Sequence, residues 1–211
     1  GLTYKKIIIF NGQFKKPNKM PNQFNLFEVL FKDDKELSHS AVIKFLLEED
    51  DFFYTNFLQC EKPINPVIKL EFKLNKYKRA DILIIGDDKG IIIENKFKCL
   101  PYKQQLEDYS QELINKFPDK KIEKYLLYFH TSKEFDIPTD WKQITYFELE
   151  NVLDKYVSKI SAIDKKIFLE HYLDSLKGYI DIYQIIKDGK NLEPFFYGEE
   201  GNFGFWLNII F

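Results

Sequence analysis

Residues 79–96 read Arg79-Ala80-Asp81-Ile82-Leu83-Ile84-Ile85-Gly86-Asp87-Asp88-Lys89-Gly90-Ile91-Ile92-Ile93-Glu94-Asn95-Lys96. Two near-continuous apolar runs, Ala80 to Ile85 and Gly90 to Ile93, flank a polar stretch bounded by glycines. Unbroken apolar runs of this length belong to strands covered on both faces. Gly86-Asp87-Asp88-Lys89-Gly90 between them reads as a hairpin turn. With Asp87-Asp88 as the loop, Gly86 faces Lys89 and Asp81 faces Glu94. With Asp88-Lys89 as the loop, Asp81 faces Lys96. Glu94 and Lys96 share a side of their strand by the two-residue period, so either register gathers Asp81, Glu94 and Lys96 on one face. A three-residue turn would instead set Asp81 opposite Asn95.

Outward from this hairpin, Ile68 to Leu74 alternates strictly and predicts a strand with one wet face. Upstream, Pro21 to Phe31 predicts a short apolar helix and Glu36 to Leu47 a second one. The acidic run Glu48 to Asp51 reads as a solvated turn, and Phe52 to Leu58 as a third short helical piece. Downstream, Leu106, Tyr109, Leu113 and Phe117 recur at helical spacing, so 102–117 is a helix that Pro118 closes. Tyr125 to Phe129 is a buried strand and Ile144 to Phe147 another. Ser161 is placed to cap a long helix to about Ile186, whose aromatic stripe is core. Phe203 to Phe211 ends on an apolar run without a stop signal, which predicts that the chain continues. The order of elements implies an α/β fold with a mixed sheet flanked by helices. Residues 1–148 form its core, and 149–211 a mostly helical extension packed on it.

Composition narrows the function classes. The chain has 211 residues, 45% of them hydrophobic and 17% aromatic, enough to bury a full core. No apolar run reaches the roughly 18–20 residues of a membrane span, and no signal-peptide pattern opens the chain, so no membrane partner is expected. Two cysteines, Cys60 and Cys99, make neither a disulfide framework nor a cysteine zinc site, which suits a reducing cytoplasm. Net charge is −2, but residues 1–131 carry 22 Lys/Arg against 19 Asp/Glu, and residues 132–211 carry 9 against 14. The first part is the better face for a polyanion. Lys69, Lys73, Lys76, Lys78 and Arg79, with Lys96, Lys98 and Lys103, form the densest basic group, a path for phosphates. No glycine-rich phosphate loop, dinucleotide fingerprint or serine-hydrolase elbow is present.

Two carboxylates at the end of a buried hairpin repel one another and are poorly solvated. A hard divalent cation with oxygen ligands relieves both problems. Lys96 beside them can orient a water or stabilise charge developing on a phosphorus centre. Together these fit metal-assisted phosphodiester hydrolysis. Glu71-Phe72-Lys73 repeats the Glu-x-Lys pattern inside the alternating strand, where it reads as ordinary wet-face charge.

Asp81 followed by Glu94-Asn95-Lys96 resembles the signature of the PD-(D/E)xK nuclease superfamily. Glu36 in Glu-Leu-Ser-His-Ser matches the additional acid that many members carry on the helix before the sheet. Gln105-Leu-Glu-Asp-Tyr109 resembles the Q-x-x-x-Y element of the exonuclease-like branch. The likeness is to bacterial families with E-x-x-H-S, R-x-D-I-x-I, I-E-N-K and Q-L-x-x-Y in that order, and covers roughly residues 24–131. Arg79-Ala80 departs from the nominal motif, which has a proline before the aspartate. The resemblance implies a restriction-endonuclease-like fold and a Mg²⁺- or Mn²⁺-dependent nuclease acting on DNA. It implies that Asp81, Glu94, the Asn95 carbonyl and Glu36 hold the metal, and that Lys96 positions the attacking water. Gln105 and Tyr109 would brace the site or contact the substrate backbone. Arg79 would contact phosphate or neutralise the acids. The alternative is an idle member of the same fold that binds nucleic acid or a protein partner in a defence or mobile-element system.

Overall fold

The computed structural model describes residues 9–10, 13–14, 24–30, 35–97, 102–129 and 136–188. In chain order the elements are β1 (Ile9–Phe10), β2 (Gln13–Phe14), α1 (Leu26–Val29), α2 (Glu36–Glu49), α3 (Phe52–Asn56), β3 (Val67–Lys73), β4 (Arg79–Ile85), β5 (Lys89–Lys96), α4 (Lys103–Lys116), β6 (Lys121–Tyr128), β7 (Trp141–Thr145), α5 (Tyr146–Val157) and α6 (Ile163–Lys187). The described residues divide into two compact units, one from 35–97, 102–129 and 136–152, the other from 9–10, 13–14, 24–30 and 153–188.

The first unit is an α/β layer structure around a five-stranded mixed sheet of order β3-β4-β5-β6-β7. The β3–β4 and β4–β5 pairs are antiparallel, while β5–β6 and β6–β7 are parallel. The parallel step from β5 to β6 requires a crossover, and α4 supplies it. Ile82, Leu83, Ile84, Ile91, Ile92 and Ile93 have no exposed surface, as the unbroken apolar runs predict for a centre covered on both faces. Each such side chain contributes roughly 1.5–3 kcal/mol relative to exposure. On one face Leu83, Ile92 and Leu126 pack with Leu106, Tyr109 and Leu113 of α4 and with Trp141. α2 packs against β3, β4 and β5, and the Asn95 side chain reaches it. In the second unit Asn25 caps α1, accepting from Phe27 N–H at 3.0 Å, and donates to the His171 carbonyl of α6 at 2.8 Å. Phe27 packs there against Phe168 and Tyr172.

Several boundaries differ from their sequence expectation, each for a local reason. α2 runs through Glu49, so the acidic turn shrinks to Asp50-Asp51, where Asp50 Oδ1 accepts from Phe52 N–H at 2.8 Å. The last strand is Trp141–Thr145 rather than 144–147, because Thr145 and Glu148 form a reciprocal capping box that starts α5 at Tyr146. α6 begins at Ile163 with the Ala162 carbonyl accepting from Lys166 N–H, which leaves Ser161 one residue upstream of the cap. β6 starts at Lys121, four residues before the apolar run, because its first half is paired to β5 while its side chains are only half-buried. α1 spans only Leu26–Val29, and Pro21, Phe31 and the stretch 203–211 lie outside the described residues. The pair β1–β2 has no counterpart in the sequence reading. Among the described residues no helix is long and apolar enough to cross a membrane.

The β4–β5 turn is clamped to the 63–65 segment: Asp87 N–H donates to the Ile64 carbonyl and Ile64 N–H to Asp88 Oδ1, both at 2.8 Å. A Cβ on Gly86 would lie 2.5 Å from Pro63 Cβ and 2.7 Å from the Ile64 carbonyl oxygen. At Gly90 the tightest neighbour, at 2.6 Å, is the flexible end of Ile122. Gly86→Ala is therefore expected to cost about 1–3 kcal/mol of unfolding free energy and Gly90→Ala less. Urea midpoints of the two variants check this order, and the reverse order would contradict the turn geometry.

Candidate functional site

The site forms where the regular pairing around β4 stops. Pairing of β4 with β5 runs from Ile85↔Gly90 to Ile82↔Ile93, and Gly86 N–H donates to the Lys89 carbonyl at 2.9 Å. The loop is therefore Asp87-Asp88, and the count places Asp81 level with Glu94. Beyond Ile93 the ladder changes character, because Asn95 N–H donates at 2.7 Å to Asp81 Oδ2, a side chain instead of a main-chain oxygen. On the other edge β3 pairs at Leu70↔Ile82 and Phe72↔Ala80 but not between them. Glu71, in that gap, has a left-handed φ of 49°, uncommon for a non-glycine residue and a conformation that no regular strand uses.

Glu94 is buried, with 1% of its surface exposed. Its Oε1 accepts from Lys96 Nζ at 2.7 Å and from Gln105 Nε2 at 3.0 Å. Its Oε2 is buried without a donor. The Asp81 carboxylate is close enough to hydrogen-bond to Glu94, but two carboxylates can do so only when one carries a proton. Burial first, then the neighbouring Asp81 charge, pushes the Glu94 carboxyl up to about 8, against the pull of Lys96. Burial likewise raises Asp81 to about 6, opposed by the Asn95 N–H and Lys96 and reinforced by Glu36 and Glu71. An unsatisfied buried oxygen beside a second raised carboxyl is a place for a proton or a cation.

The remaining site candidates surround this pair. Gln105 Nε2 also meets Tyr109 Oη at 3.0 Å, and Tyr109 O–H donates at 2.8 Å to the Arg79 carbonyl. One turn of α4 thus ties the Glu94 carboxylate to the start of β4. Arg79 points its half-exposed guanidinium at Glu71, 3.7 Å away, and not at Asp81 or Glu94. Glu36 opens α2 and reaches the pair through its charge on Asp81, while its carbonyl accepts from Asn95 Nδ2 at 3.0 Å. Asn95 is held on three sides, because its Nδ2 also donates to Ser40 Oγ at 3.0 Å and its Oδ1 accepts from Tyr146 O–H at 2.5 Å. His39, which follows Glu36 by three, is core: it stacks on Phe97 at 4.0 Å and meets Tyr146 edge-on.

Ser40 and Tyr146 escape sequence reading because they meet Asn95 only across 55 and 51 residues of chain. Glu71 and Lys73 are exposed, as the wet-face reading expects, but the register of β3 on β4 brings Glu71 level with Asp81, where its charge helps to raise the Asp81 carboxyl. The donor set is oxygen-rich and suits a hard cation. Among the described residues no three Asp, Glu, His or Cys side chains stand grouped to hold a metal alone. Asp81 and Glu94 offer two carboxylates to such a cation, and Glu36 reaches them through its charge on Asp81.

A family model of the PD-(D/E)XK nuclease superfamily matches residues 55–174, which include Asp81, Glu94, Lys96, Gln105 and Tyr109 but not Glu36. No curated protein and no solved structure matches the chain.

The raised carboxyls have a consequence for stability. Without divalent ions the folded state keeps protons on Asp81 and Glu94 that the unfolded chain releases near pH 4. More protons are bound folded than unfolded, so unfolding free energy falls as pH rises from about 4 to about 8. The slope is steepest near pH 5, where it nears two protons, roughly 2–2.5 kcal/mol per pH unit, and between pH 6 and 8 it is about one proton, about 1.4 kcal/mol per pH unit. Glu94→Gln should flatten this window. Urea unfolding in EDTA between pH 5 and 8 measures it, and a flat wild-type profile would refute the buried pair.

Proposed function

The chain belongs to the PD-(D/E)XK nuclease superfamily, and on that premise we propose that it is a divalent-metal-dependent nuclease that hydrolyses phosphodiester bonds in DNA. The observation that carries the reading is the Glu94 Oε2, buried, without a donor and beside Asp81. Asp81, Glu94, the Asn95 carbonyl and Glu36 are the residues that would hold Mg²⁺ or Mn²⁺. Bound there, the ion acts as a Lewis acid toward the phosphate oxygens and lowers the pKa of a water.

The protein's own groups divide the remaining work. Lys96 Nζ, seated on Glu94 Oε1, supplies a positive charge where the attacking water and the phosphorus charge meet. The water oxygen bonds to phosphorus, the bond to the leaving ester oxygen breaks, and the proton lost by water passes to solvent, from which the leaving oxygen takes one to become an alcohol. Gln105 fixes one oxygen of Glu94, so the other keeps its aim. Tyr109 anchors the Arg79 carbonyl and with it the approach of β4 to the site. The clasp of Asn95 by Glu36, Ser40 and Tyr146 fixes the backbone whose carbonyl is a donor. A complete Asp81, Glu94 and Lys96 set speaks against an idle nucleic-acid or protein binder. Two cysteines, with Cys60 a free thiol, are in keeping with action in the cytoplasm.

Asp81→Asn, Glu94→Gln and Lys96→Ala should each lower Mg²⁺- or Mn²⁺-dependent cleavage at least ~100-fold with the fold retained. Robust activity in any two of the three would overturn the assignment. Independently of substrate, Mn²⁺ at about ten times its Kd should stabilise the protein by roughly 1.4 kcal/mol, or about 3–6 °C in Tm. In Asp81→Asn that shift should vanish while the metal-free Tm holds or rises. Scanning calorimetry reads both, and a full shift in the variant would remove Asp81 from the ligand set.

A further inference from the structure

The β3–β4 hairpin carries a second feature that the cleavage chemistry leaves unused. Its turn presents Tyr77 with 84% of its surface exposed, and no large apolar side chain among the described residues is more exposed. A lone exposed aromatic is unremarkable, but three further observations single this one out.

The first is charge. Lys78 is paired with Asp108, Arg79 with Glu71, Lys103 with Asp136 and Lys96 with Glu94. Lys69, Lys73 and Lys76 have no carboxylate partner among the described residues, and Lys76 Nζ sits 5.3 Å from the Tyr77 ring centroid. Uncompensated positive charge therefore collects on the hairpin that carries the ring. The second is bracing. Asn75 Oδ1 accepts from Tyr77 N–H at 2.8 Å and Lys78 N–H at 2.9 Å, and its Nδ2 donates to Glu112 Oε1 of α4 at 2.6 Å. Lys116 adds a bond from α4 to the Lys73 carbonyl at 3.0 Å. The ring stands on backbone fixed to the same helix that supplies Gln105 and Tyr109, so little ordering remains to be done on binding. The third is reach. Tyr77 precedes Asp81 by four residues, at most about 13 Å of extended chain. At the ~3.4 Å rise per nucleotide of one duplex strand, that is about four nucleotides.

We infer that Tyr77 is a base-stacking platform: the β3–β4 hairpin binds an unpaired nucleobase within about four nucleotides of the phosphate at the Asp81–Glu94 centre, while Lys69, Lys73 and Lys76 track the adjoining backbone. The protein thereby takes single-stranded or end-frayed nucleic acid in preference to intact duplex. Aromatic platforms with flanking cations bind single strands in this way, because every base offers a π face. The inference rests on the reading of Asp81 and Glu94 as a phosphodiester-binding centre, which defines where the strand leads.

The test is equilibrium binding by fluorescence anisotropy of the full chain in EDTA, where no cleavage intervenes. Probes are a labelled 12-nucleotide DNA strand, its RNA equivalent and the blunt 12-base-pair DNA duplex. Tyr77→Ala should weaken single-strand binding at least about five-fold, leave duplex binding within two-fold, and be rescued by Tyr77→Phe or Tyr77→Trp. Lys73→Ala and Lys76→Ala should weaken strand and duplex alike, each lowering the salt slope by about 0.7–0.9. The larger Tyr77 effect, on the deoxy or the ribo strand, names the substrate sugar. Single-strand binding unchanged in Tyr77→Ala, equal losses on strand and duplex, or no binding by the wild type would overturn the inference. Failure of the nuclease reading looks different: no metal-dependent cleavage by the wild type, with Tyr77-dependent binding intact.

Discussion

Two carboxylates share one buried corner, and much of the first unit exists to hold them there. Burial raises both Asp81 and Glu94, and the Asp81 charge raises Glu94 further, so the metal-free protein carries them at a cost that the rest of the fold must offset. That offset comes from the isoleucine-rich centre of the sheet, where six fully covered aliphatic side chains follow Asp81 along β4 and precede Glu94 along β5. The same covered strands that stabilise the sheet keep Glu94 buried. Stability and site electrostatics thus have a common source.

The sheet does not simply carry the acids; it stops being regular in order to present them. Asp81 takes a main-chain N–H of β5 on its side chain, and the neighbouring residue on β3, Glu71, leaves the extended region altogether. Local conformations of this kind cost free energy and persist where surrounding contacts over-determine them. Here the surrounding contacts are visible: flanking pairs on either side of the Glu71 gap, and a hydrogen-bonded clasp around Asn95 from α2 and α5.

α4 joins the two functional regions. Leu106, Tyr109 and Leu113 seat it on the sheet, Gln105 reaches Glu94, the Tyr109 hydroxyl holds the Arg79 carbonyl, and Asp108, Glu112 and Lys116 hold the β3–β4 hairpin. A helix with three such duties makes the position of the hairpin relative to the acidic pair a property of the core. In a nuclease, that would keep the geometry between a bound base and the scissile phosphate constant.

The sequence by itself determined the α/β class, the buried hairpin and the gathering of Asp81, Glu94 and Lys96, because apolar period and turn chemistry are local properties of contiguous residues. It also determined the helix that carries Gln105 and Tyr109, whose spacing of four puts both on one side of α4. Local signals left two hairpin registers open, and the tertiary structure chose between them through the clamp of Asp87 and Asp88 on Ile64. Only the tertiary structure decided that Glu71 belongs beside Asp81, that His39 is core and that Tyr146 and Ser40 grip Asn95. It also decided which lysines keep an uncompensated charge. Each of those depends on register or on contacts across tens of residues, and a side chain's partner at that separation is set by packing, which no local pattern encodes.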